Sequence, residues 1–228
     1  EIGSGLVGSE MCIRDREMAD FVGLGFELAF KYSNPAIILA DGVIGQMMEK
    51  VVLPEQRTRL TDEEVIARCP WATTGRTHHR TPNIITSLEL DPAEMEKRNI
   101  HLQKKYAEIE ENEVRFEELH CEDAEYLIVA FGSCARIAQK AMEIAREEGI
   151  KVGLLRPITL WPFPSKAIAA RAAQVKGILT VELNAGQMVE DVRLAVECKV
   201  PVEHFGRLGG IVPDPDEVIT ALKEKLIK

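Results

Sequence analysis

The last hundred residues alternate between short apolar runs and amphipathic stretches, and this alternation constrains the fold more than any other feature of the sequence. Four runs have the length and composition of buried strands: Tyr126–Gly132, Ile150–Pro157, Gly177–Asn184 and Val200–Gly206. A helical pattern follows each of them, at 133–149, 165–174, 186–197 and 214–228. Repeated strand–helix units place the helices as crossovers between parallel strands. The sequence therefore predicts an α/β domain over 123–228, with a four-unit parallel βα sheet between two helical layers.

The segment before this domain holds one helix and one strand. Met18–Ser33 carries apolar residues largely on one helical face, and Ala36–Asp41 is a continuous apolar run that ends at an Asp-Gly pair. One helix and one strand cannot enclose a core, so we interpret residues 17–53 as the tail of a larger α/β domain.

The first residues have a different character. Residues 1–16 show no periodicity and resemble translated adapter sequence at the end of an assembled fragment. We leave them out of the fold prediction and expect the natural protein to continue upstream.

Residues 54–122 lack the alternation and are predicted to connect the two parts. Their first half is rich in Thr, Pro and charge, with a basic loop around 76–80 that includes His78 and His79. Their second half opens on Asp91-Pro92, a capping residue followed by proline, and predicts a long charged helix whose thin apolar stripe reaches Val114 or Phe116. Two interpretations stay open: an arm that wraps a partner, or a solvated helix joining two domains.

Charge and cysteine usage exclude several classes of function. The formal net charge of −9 argues against nucleic acid or an anionic membrane as a partner, and no apolar run has the length of a membrane span. The five cysteines are scattered without C-x-x-C pairs, which argues against a zinc site or an iron–sulfur cluster held by this chain. An odd, dispersed set is typical of the cytoplasm.

Ligands of open α/β sheets bind at the carboxyl ends of the strands, where four residues are candidates for contacting a cofactor: Ser133, Arg156, Asn184 and Gln187. Each also has a structural interpretation. Ser133 and Asn184 have the chemistry of helix caps, and Gln187, like the neighbouring Glu182, could bond a loop or a subunit. Cys134 is interpreted as a small packed residue, since no histidine is placed beside it.

The stretch that follows the second strand, LRPITLWPFP, is a proline-rich corner. Pro157 ends the strand ladder, and Pro162 and Pro164 keep the next turn extended. Trp161 and Phe163 are too apolar to remain in water. We expect them to form an interface with the connector, the first domain or a partner chain.

Four segments together resemble a known family: ILADGVIGQMMEKVVLPE, TPNIITSLELDPAEMEKRN, LRPITLWPFP and VELNAGQMVEDVRLAV. From about Met18 to the C-terminus they are similar to the C-terminal part of 2-oxoacid:ferredoxin oxidoreductase subunits. Within that family they resemble the thiamine-domain subunit of the branched-chain enzyme, which acts on 3-methyl-2-oxobutanoate. The N-terminal Tyr-Pro-Ile-Thr-Pro motif and the activating glutamate of that subunit are not in this sequence.

The resemblance implies that residues 17–53 close the pyrimidine-binding domain of thiamine diphosphate and that residues 123–228 are like the C-terminal domain of transketolases. It assigns the pyrophosphate-binding domain, its magnesium and the iron–sulfur clusters to other subunits. The implied partners are a pyrophosphate-domain subunit, a ferredoxin-like subunit and a gamma-type subunit. The family oxidatively decarboxylates a 2-oxoacid, transfers the acyl group to coenzyme A and passes electrons to ferredoxin. We expect this chain alone to be inactive and to hold no cofactor tightly. Two alternatives remain: a lipoamide-linked or transketolase-type thiamine enzyme, and a noncatalytic module for subunit association.

Overall fold

The structure is a computed structural model that describes residues 9–11, 15–46, 48, 50–52, 55–56, 58–73, 75, 84–86 and 88–227. The chain divides into two compact units, one of residues 1–51 with 105–228 and the other of residues 52–104. The basic loop with His78 and His79 lies outside the described residues. No helix in the described ranges is both long and apolar enough to cross a membrane.

A five-stranded sheet forms the centre of the larger unit. Its strands are β3 (Phe116–Leu119), β4 (Tyr126–Ala130), β5 (Val152–Pro157), β7 (Gly177–Glu182) and β8 (Val202–Gly206). They lie side by side in the order β3-β5-β4-β7-β8. The four predicted strands are parallel, as expected, which confirms the predicted fold class.

The fifth strand corrects the sequence prediction. β3 is antiparallel to β5, with Glu117 opposite Arg156, whereas the sequence placed Phe116 on the charged connector helix. That helix, α3 (Pro92–Asn112), ends before β3 begins. The prediction was wrong because Glu117 and Glu118 break any apolar alternation, and their carboxylates bond arginines of the folded domain instead.

Helices cover both faces of this sheet, and their bounds are α4 (Gly132–Glu147), α5 (Ser165–Ala172), α6 (Met188–Val196) and α7 (Pro215–Leu222). One face packs against α4 and α7 through buried residues such as Met142 and Leu222. The other packs against α5 and α6 through Ile168 and Val192. Full burial of such side chains is worth roughly 1.5–3 kcal/mol each, so these two layers supply the main core of the unit.

A smaller three-stranded sheet lies in the same unit. It consists of β1 (Ser9–Met11), β2 (Ile37–Leu39) and β6 (Thr159–Trp161), in the order β2-β1-β6. β1 belongs to the segment left out of the fold prediction, and β6 belongs to the corner predicted as an extended turn. Helix α1 (Asp15–Tyr32) packs here, with Phe21 and Leu28 buried in two small apolar clusters.

The unit of residues 52–104 contains a short helix that the sequence prediction read as extended connector. Helix α2 (Asp62–Arg68) begins at Thr61, whose hydroxyl accepts from the Glu64 N–H at 3.3 Å while the Glu64 carboxylate accepts from the Thr61 N–H at 2.8 Å. This capping box fixes the helix start. The T-x-x-E signal was present in the sequence, but no helical residue of α2 is buried, so the apolar period was weak.

Candidate functional site

The N-terminus of α4, where Ser133 was expected to receive an anion or cap the helix, is occupied by a carboxylate of the chain itself. The cap position is Phe131, and Ser133 lies inside the first turn. Its backbone N–H donates to Asp41 Oδ2 at 3.2 Å. The other oxygen of Asp41 accepts from the N–H groups of Val43 and Ile44, both at 2.9 Å.

Asp41 is therefore a charged link between the end of β2 and the start of α4. Burial alone would raise the pKa of its carboxyl, but hydrogen bonds from Ser133, Ile44 and Val43 outweigh burial and lower that pKa. Sequence reasoning noticed the Asp-Gly pair only as a strand end. An acid between an apolar run and a glycine was the available signal for a capping role.

The N-terminus of α6 has a similar arrangement built on Glu182, the last residue of β7. The side chain is 1% exposed, and its two oxygens accept from the N–H groups of Gln187, Met188 and Val189 at 2.9–3.2 Å. His204 Nδ1 lies 3.4 Å from the same carboxylate. The Glu182 carboxylate thus satisfies three of the backbone donors that a helix N-terminus leaves open.

Asn184 and Gln187 take positions around this carboxylate. Asn184 does not cap the helix: its Oδ1 accepts from the Gly186 N–H at 2.7 Å and closes a tight turn. Gly186 has a φ of +109°, which favours glycine. Gln187 is the residue before the helix, and its exposed side chain does not cap it. A Cβ on Gly206 would lie 2.2 Å from the Asn184 carbonyl oxygen, so the turn and β8 are packed backbone to backbone.

Arg156, at the end of β5, is 2% exposed and held by two carboxylates. Its Nη1 and Nη2 bond Glu17 at 3.1 and 2.6 Å, and Nη1 also bonds Glu117 at 2.9 Å. Its Nε has no hydrogen-bond partner among the described residues. A buried guanidinium loses its hydration, and the carboxylates of Glu17 and Glu117 offset that loss. The geometry therefore ties β5 to α1 and β3.

Trp161 and Phe163 lie in different apolar clusters. Trp161 makes an edge-to-face contact with Tyr106 at 5.9 Å between ring centroids and packs beside Leu28 and Ile109. Phe163 packs against the α5–α6 face of the large sheet. Both rings remain partly exposed.

An open groove of about 870 Å³ lies beside these two rings. Its walls come from the end of α3, the start of β3 and the corner that leads into α5. The lining residues are Ala107, Glu110, Glu111, Val114, Phe116, Trp161, Pro162, Phe163, Pro164, Ser165, Lys166 and Ala167. This is the region of the described structure where the predicted interface residues border a cavity.

A buried carboxylate missed by the sequence reasoning lies behind the corner. Glu113 is 3% exposed and bonds Lys31 Nζ at 2.6 Å, the Tyr32 hydroxyl at 2.7 Å and Arg115 Nη2 at 3.0 Å. Burial raises the pKa of Glu113, but these three partners outweigh burial and lower it. The residue joins the end of α1 to the end of α3, and nothing in the run of glutamates distinguished it in advance.

Nucleophilic and metal chemistry have little support in the described part of the chain. Burial, together with the carboxylates of Asp41 and Glu182, raises the pKa of the Cys134 thiol to about 12. A thiol with that pKa stays protonated and unreactive at neutral pH. Across the described ranges, no group of three or more His, Cys, Asp and Glu side chains is arranged to hold a metal ion.

Thiamine diphosphate, the cofactor implied by the resemblance, does not fit the carboxyl ends of β4 and β7. A diphosphate binds helix N-termini through free backbone N–H groups. At the start of α6 three of those groups bond Glu182, and at the start of α4 one bonds Asp41. Both negative charges would repel a second anion. These ends of the sheet are built for packing and internal capping.

Comparison with known proteins agrees with this architecture. Residues 124–218 match the pyruvate:ferredoxin oxidoreductase core domain II. A solved 2-oxoglutarate:ferredoxin oxidoreductase from Magnetococcus marinus, with 2-oxoglutarate, coenzyme A and succinyl-CoA bound, has a TM-score of 0.65 at 24% identity. The similarity covers 85% of this chain and 37% of that one, and it shows a shared fold.

Two curated relatives extend the comparison over most of the chain. The ketoisovalerate oxidoreductase subunit VorB of Methanothermobacter marburgensis is 44% identical over 209 residues, which are 92% of this chain and 57% of that protein. The 2-oxoglutarate synthase subunit KorA of Archaeoglobus fulgidus is 32% identical over 83% of this chain and 53% of its own length. The chain thus spans a little over half the length of these relatives, and it belongs to the 2-oxoacid:ferredoxin oxidoreductase family.

Proposed function

We propose that this chain is part of a subunit of a branched-chain 2-oxoacid:ferredoxin oxidoreductase. The observation that carries the proposal is the 44% identity with a ketoisovalerate oxidoreductase subunit over 209 residues, against 32% with a 2-oxoglutarate synthase subunit. In the proposed reaction the acid loses carbon dioxide, the acyl group forms a thioester with coenzyme A, and two electrons pass singly to ferredoxin. The thiol proton of coenzyme A is released.

Within that enzyme, the proposed role of this chain is to build and position the complex. Asp41 accepts from one backbone N–H at the start of α4 and Glu182 from three at the start of α6, which supports a packing role there. Thiamine diphosphate with magnesium and the iron–sulfur clusters are then held by segments and subunits beyond these residues, and the complex works in the cytoplasm. Of the four cofactor candidates, Gln187 is the one with an exposed side chain, and we propose that it contacts a ligand or a neighbouring subunit.

Helix α1 supports the assignment of residues 17–53 to the tail of a larger domain. One face of α1 is buried by Phe21 and Leu28, while Met18, Val22 and Phe26 on another face are 37%, 47% and 63% exposed. A helix that is apolar on two faces normally lies between two layers. In the proposed arrangement, other residues of the pyrimidine-binding domain cover this second face of α1. Residues 54–122 then connect the pyrimidine-binding domain to the transketolase-like domain at 123–228.

A chimeric complex tests the function. The 209 matched residues of the VorB subunit are replaced by those of this chain, and the purified complex is assayed for viologen reduction with 2-oxoisovalerate, 2-oxoglutarate and pyruvate. We expect assembly and a preference for 2-oxoisovalerate, as in the parent complex. A complex that assembles but prefers 2-oxoglutarate would contradict the substrate assignment.

The isolated chain tests the division of labour. Titration calorimetry of the chain with thiamine diphosphate and magnesium should give no micromolar binding, and the chain should not turn over any of the three acids. Micromolar binding would contradict the packing role, and it would favour a thiamine enzyme whose cofactor site lies in these residues. The parent complex is the positive control in both measurements.

A further inference from the structure

The groove beside Trp161 is a rigid, preformed surface. Trp161 stands against Tyr106, with the fully buried Ile109 behind it in the same cluster. Pro162 and Pro164 are buried and fix the corner between them. Phe163 is anchored on the core of the large sheet. A surface whose walls are already ordered loses little conformational entropy when a partner binds.

The floor of the groove is apolar and ends at the edge of the sheet. Phe116, the first residue of β3, is 41% exposed and lines the groove. β3 pairs with β5 on one side and is one of the two edge strands of the described five-stranded sheet. An exposed edge strand presents backbone donors and acceptors that an extended segment can pair with. The shape therefore suits an extended peptide with an apolar side chain.

The rim of the groove is acidic and lies at the C-terminal end of α3, where the helix dipole disfavours negative charge. The last turn of α3 carries Glu110 and Glu111 and no basic residue. Carboxylates at a helix C-terminus are repelled by the negative end of the helix dipole, by about 0.3–1 kcal/mol each. Lys166 pairs with Glu111 at 2.9 Å and also interacts with the charge of Glu110, but among the described residues no direct ion pair of Glu110 is found. A cation bound at Glu110 would relieve this repulsion.

From these observations we propose that the groove docks an extended segment of a partner chain that carries an apolar side chain flanked by Lys or Arg. The apolar side chain enters between Trp161 and Phe116, and the basic side chain pairs with Glu110. This proposal rests on the groove itself and stands whichever 2-oxoacid the whole enzyme uses.

Three labelled heptapeptides test the chemistry of the groove with the full chain. The probes are Gly-Lys-Val-Phe-Lys-Val-Gly, the acidic Gly-Glu-Val-Phe-Glu-Val-Gly and the polar Gly-Lys-Ser-Ser-Lys-Ser-Gly, each with blocked ends. Fluorescence anisotropy should show saturable binding of the basic apolar peptide, weakening as salt rises. The other two should bind at least tenfold more weakly. Absence of saturable binding by the basic apolar peptide at millimolar concentration overturns the proposal, as does equal binding of the acidic one.

Two variants locate the binding. Glu110→Lys and Phe116→Ser should each weaken the basic apolar peptide at least tenfold. Glu147→Lys, the same charge change on an exposed residue of α4 that does not line the groove, should leave it within twofold. In a Trp71→Phe background Trp161 is the single tryptophan, and its emission should shift only when the groove is filled. Circular dichroism checks that each variant is folded.

The same variants separate a partner segment from a second copy of this chain. If the groove bound another copy, Glu110→Lys and Phe116→Ser would dissociate a dimer of the unliganded chain in sedimentation experiments. That result would overturn the assignment to a partner segment. Unchanged peptide affinity in both variants would also overturn it, because binding would then lie elsewhere.

Discussion

Glu182 is the residue whose role depends most on its surroundings. Its carboxylate has almost no access to solvent and accepts three backbone N–H bonds at the start of α6. The sequence predicted that Glu182 would need partners once buried, but it left open whether those were a loop, a subunit or a ligand. Only the tight turn at Asn184–Gly186 decides the matter, because it brings the helix N-terminus back onto the strand end.

Replacing this carboxylate with an amide measures its contribution to stability. Glu182→Gln keeps the shape but presents an N–H₂ group to backbone N–H donors, so we expect the free energy of unfolding to fall by about 2–4 kcal/mol. Glu190→Gln, an exposed change in the first turn of the same helix, should cost no more than about 0.5 kcal/mol. Chemical denaturation gives both values. Equal losses in the two variants would mean that the buried hydrogen bonds contribute nothing.

Asp41 should make stability depend on pH. Its pKa is lower in the folded chain than its ordinary value of 3.8, so its stabilisation is complete above that value and is lost as the pH falls through the folded pKa. We expect Asp41→Asn to be less stable than the unmodified chain at pH 7, and the difference to shrink below about pH 4.

Denaturation curves at a series of pH values measure this difference. Asp20→Asn, at an exposed position of α1, serves as the control and should show a small difference at every pH. A gap for Asp41→Asn that stayed constant down to pH 2 would show that its charge does not stabilise the fold.

At the level of elements, the sequence predicted the four buried parallel strands because their side chains are apolar on both faces. It missed β3, since an edge strand needs burial on one side only and its central residues are two glutamates. Those glutamates are satisfied by Arg156 and Arg171, which are 39 and 53 residues away along the chain. Pairing over that separation has no local signature. The same reason kept Glu113 from being recognised, because its partners Lys31 and Tyr32 are 82 and 81 residues away along the chain.

Helix α2 depends on its cap more than on packing. No residue of α2 is buried, so removing the Thr61 hydroxyl should cost about 1 kcal/mol of local helix stability. Thr61→Ala should therefore speed amide hydrogen exchange within Asp62–Arg68 about fivefold and leave the melting temperature of the chain unchanged. Thr58→Ala, outside the helix, should change neither measurement. A general loss of protection across the chain would contradict this local role.

For the whole molecule, the exposed apolar face of α1 is the feature that we expect to drive association between chains. Met18, Val22 and Phe26 lie four residues apart and form one apolar stripe about two turns long. Stripes of this kind drive association when nothing covers them. The sequence predicted the helix, but it placed Met18 and Val22 on one apolar face with Phe21 and Leu28. That placement was wrong, because Met18 and Val22 are exposed while Phe21 and Leu28 are buried.

Substitution within the stripe tests this association. In sedimentation velocity experiments, Phe26→Asp should raise the monomer fraction of the chain at concentrations where the unmodified protein associates. Leu194→Asp, at a 76% exposed position on α6, is the matched control and should leave the distribution unchanged. An equal effect of both changes would point to net charge as the cause.

The antiparallel pairing of β3 with β5 also sets an order of events during synthesis. Glu117 leaves the ribosome 39 residues before its partner Arg156. At a translation rate of roughly 5–20 residues per second, β3 remains unpaired for several seconds before β5 is made. β4 and α4 are made in that interval. The nascent chain therefore completes its first βα unit before β3 can pair with β5. The glutamates of β3 keep this waiting strand charged, which protects it from pairing with other nascent chains.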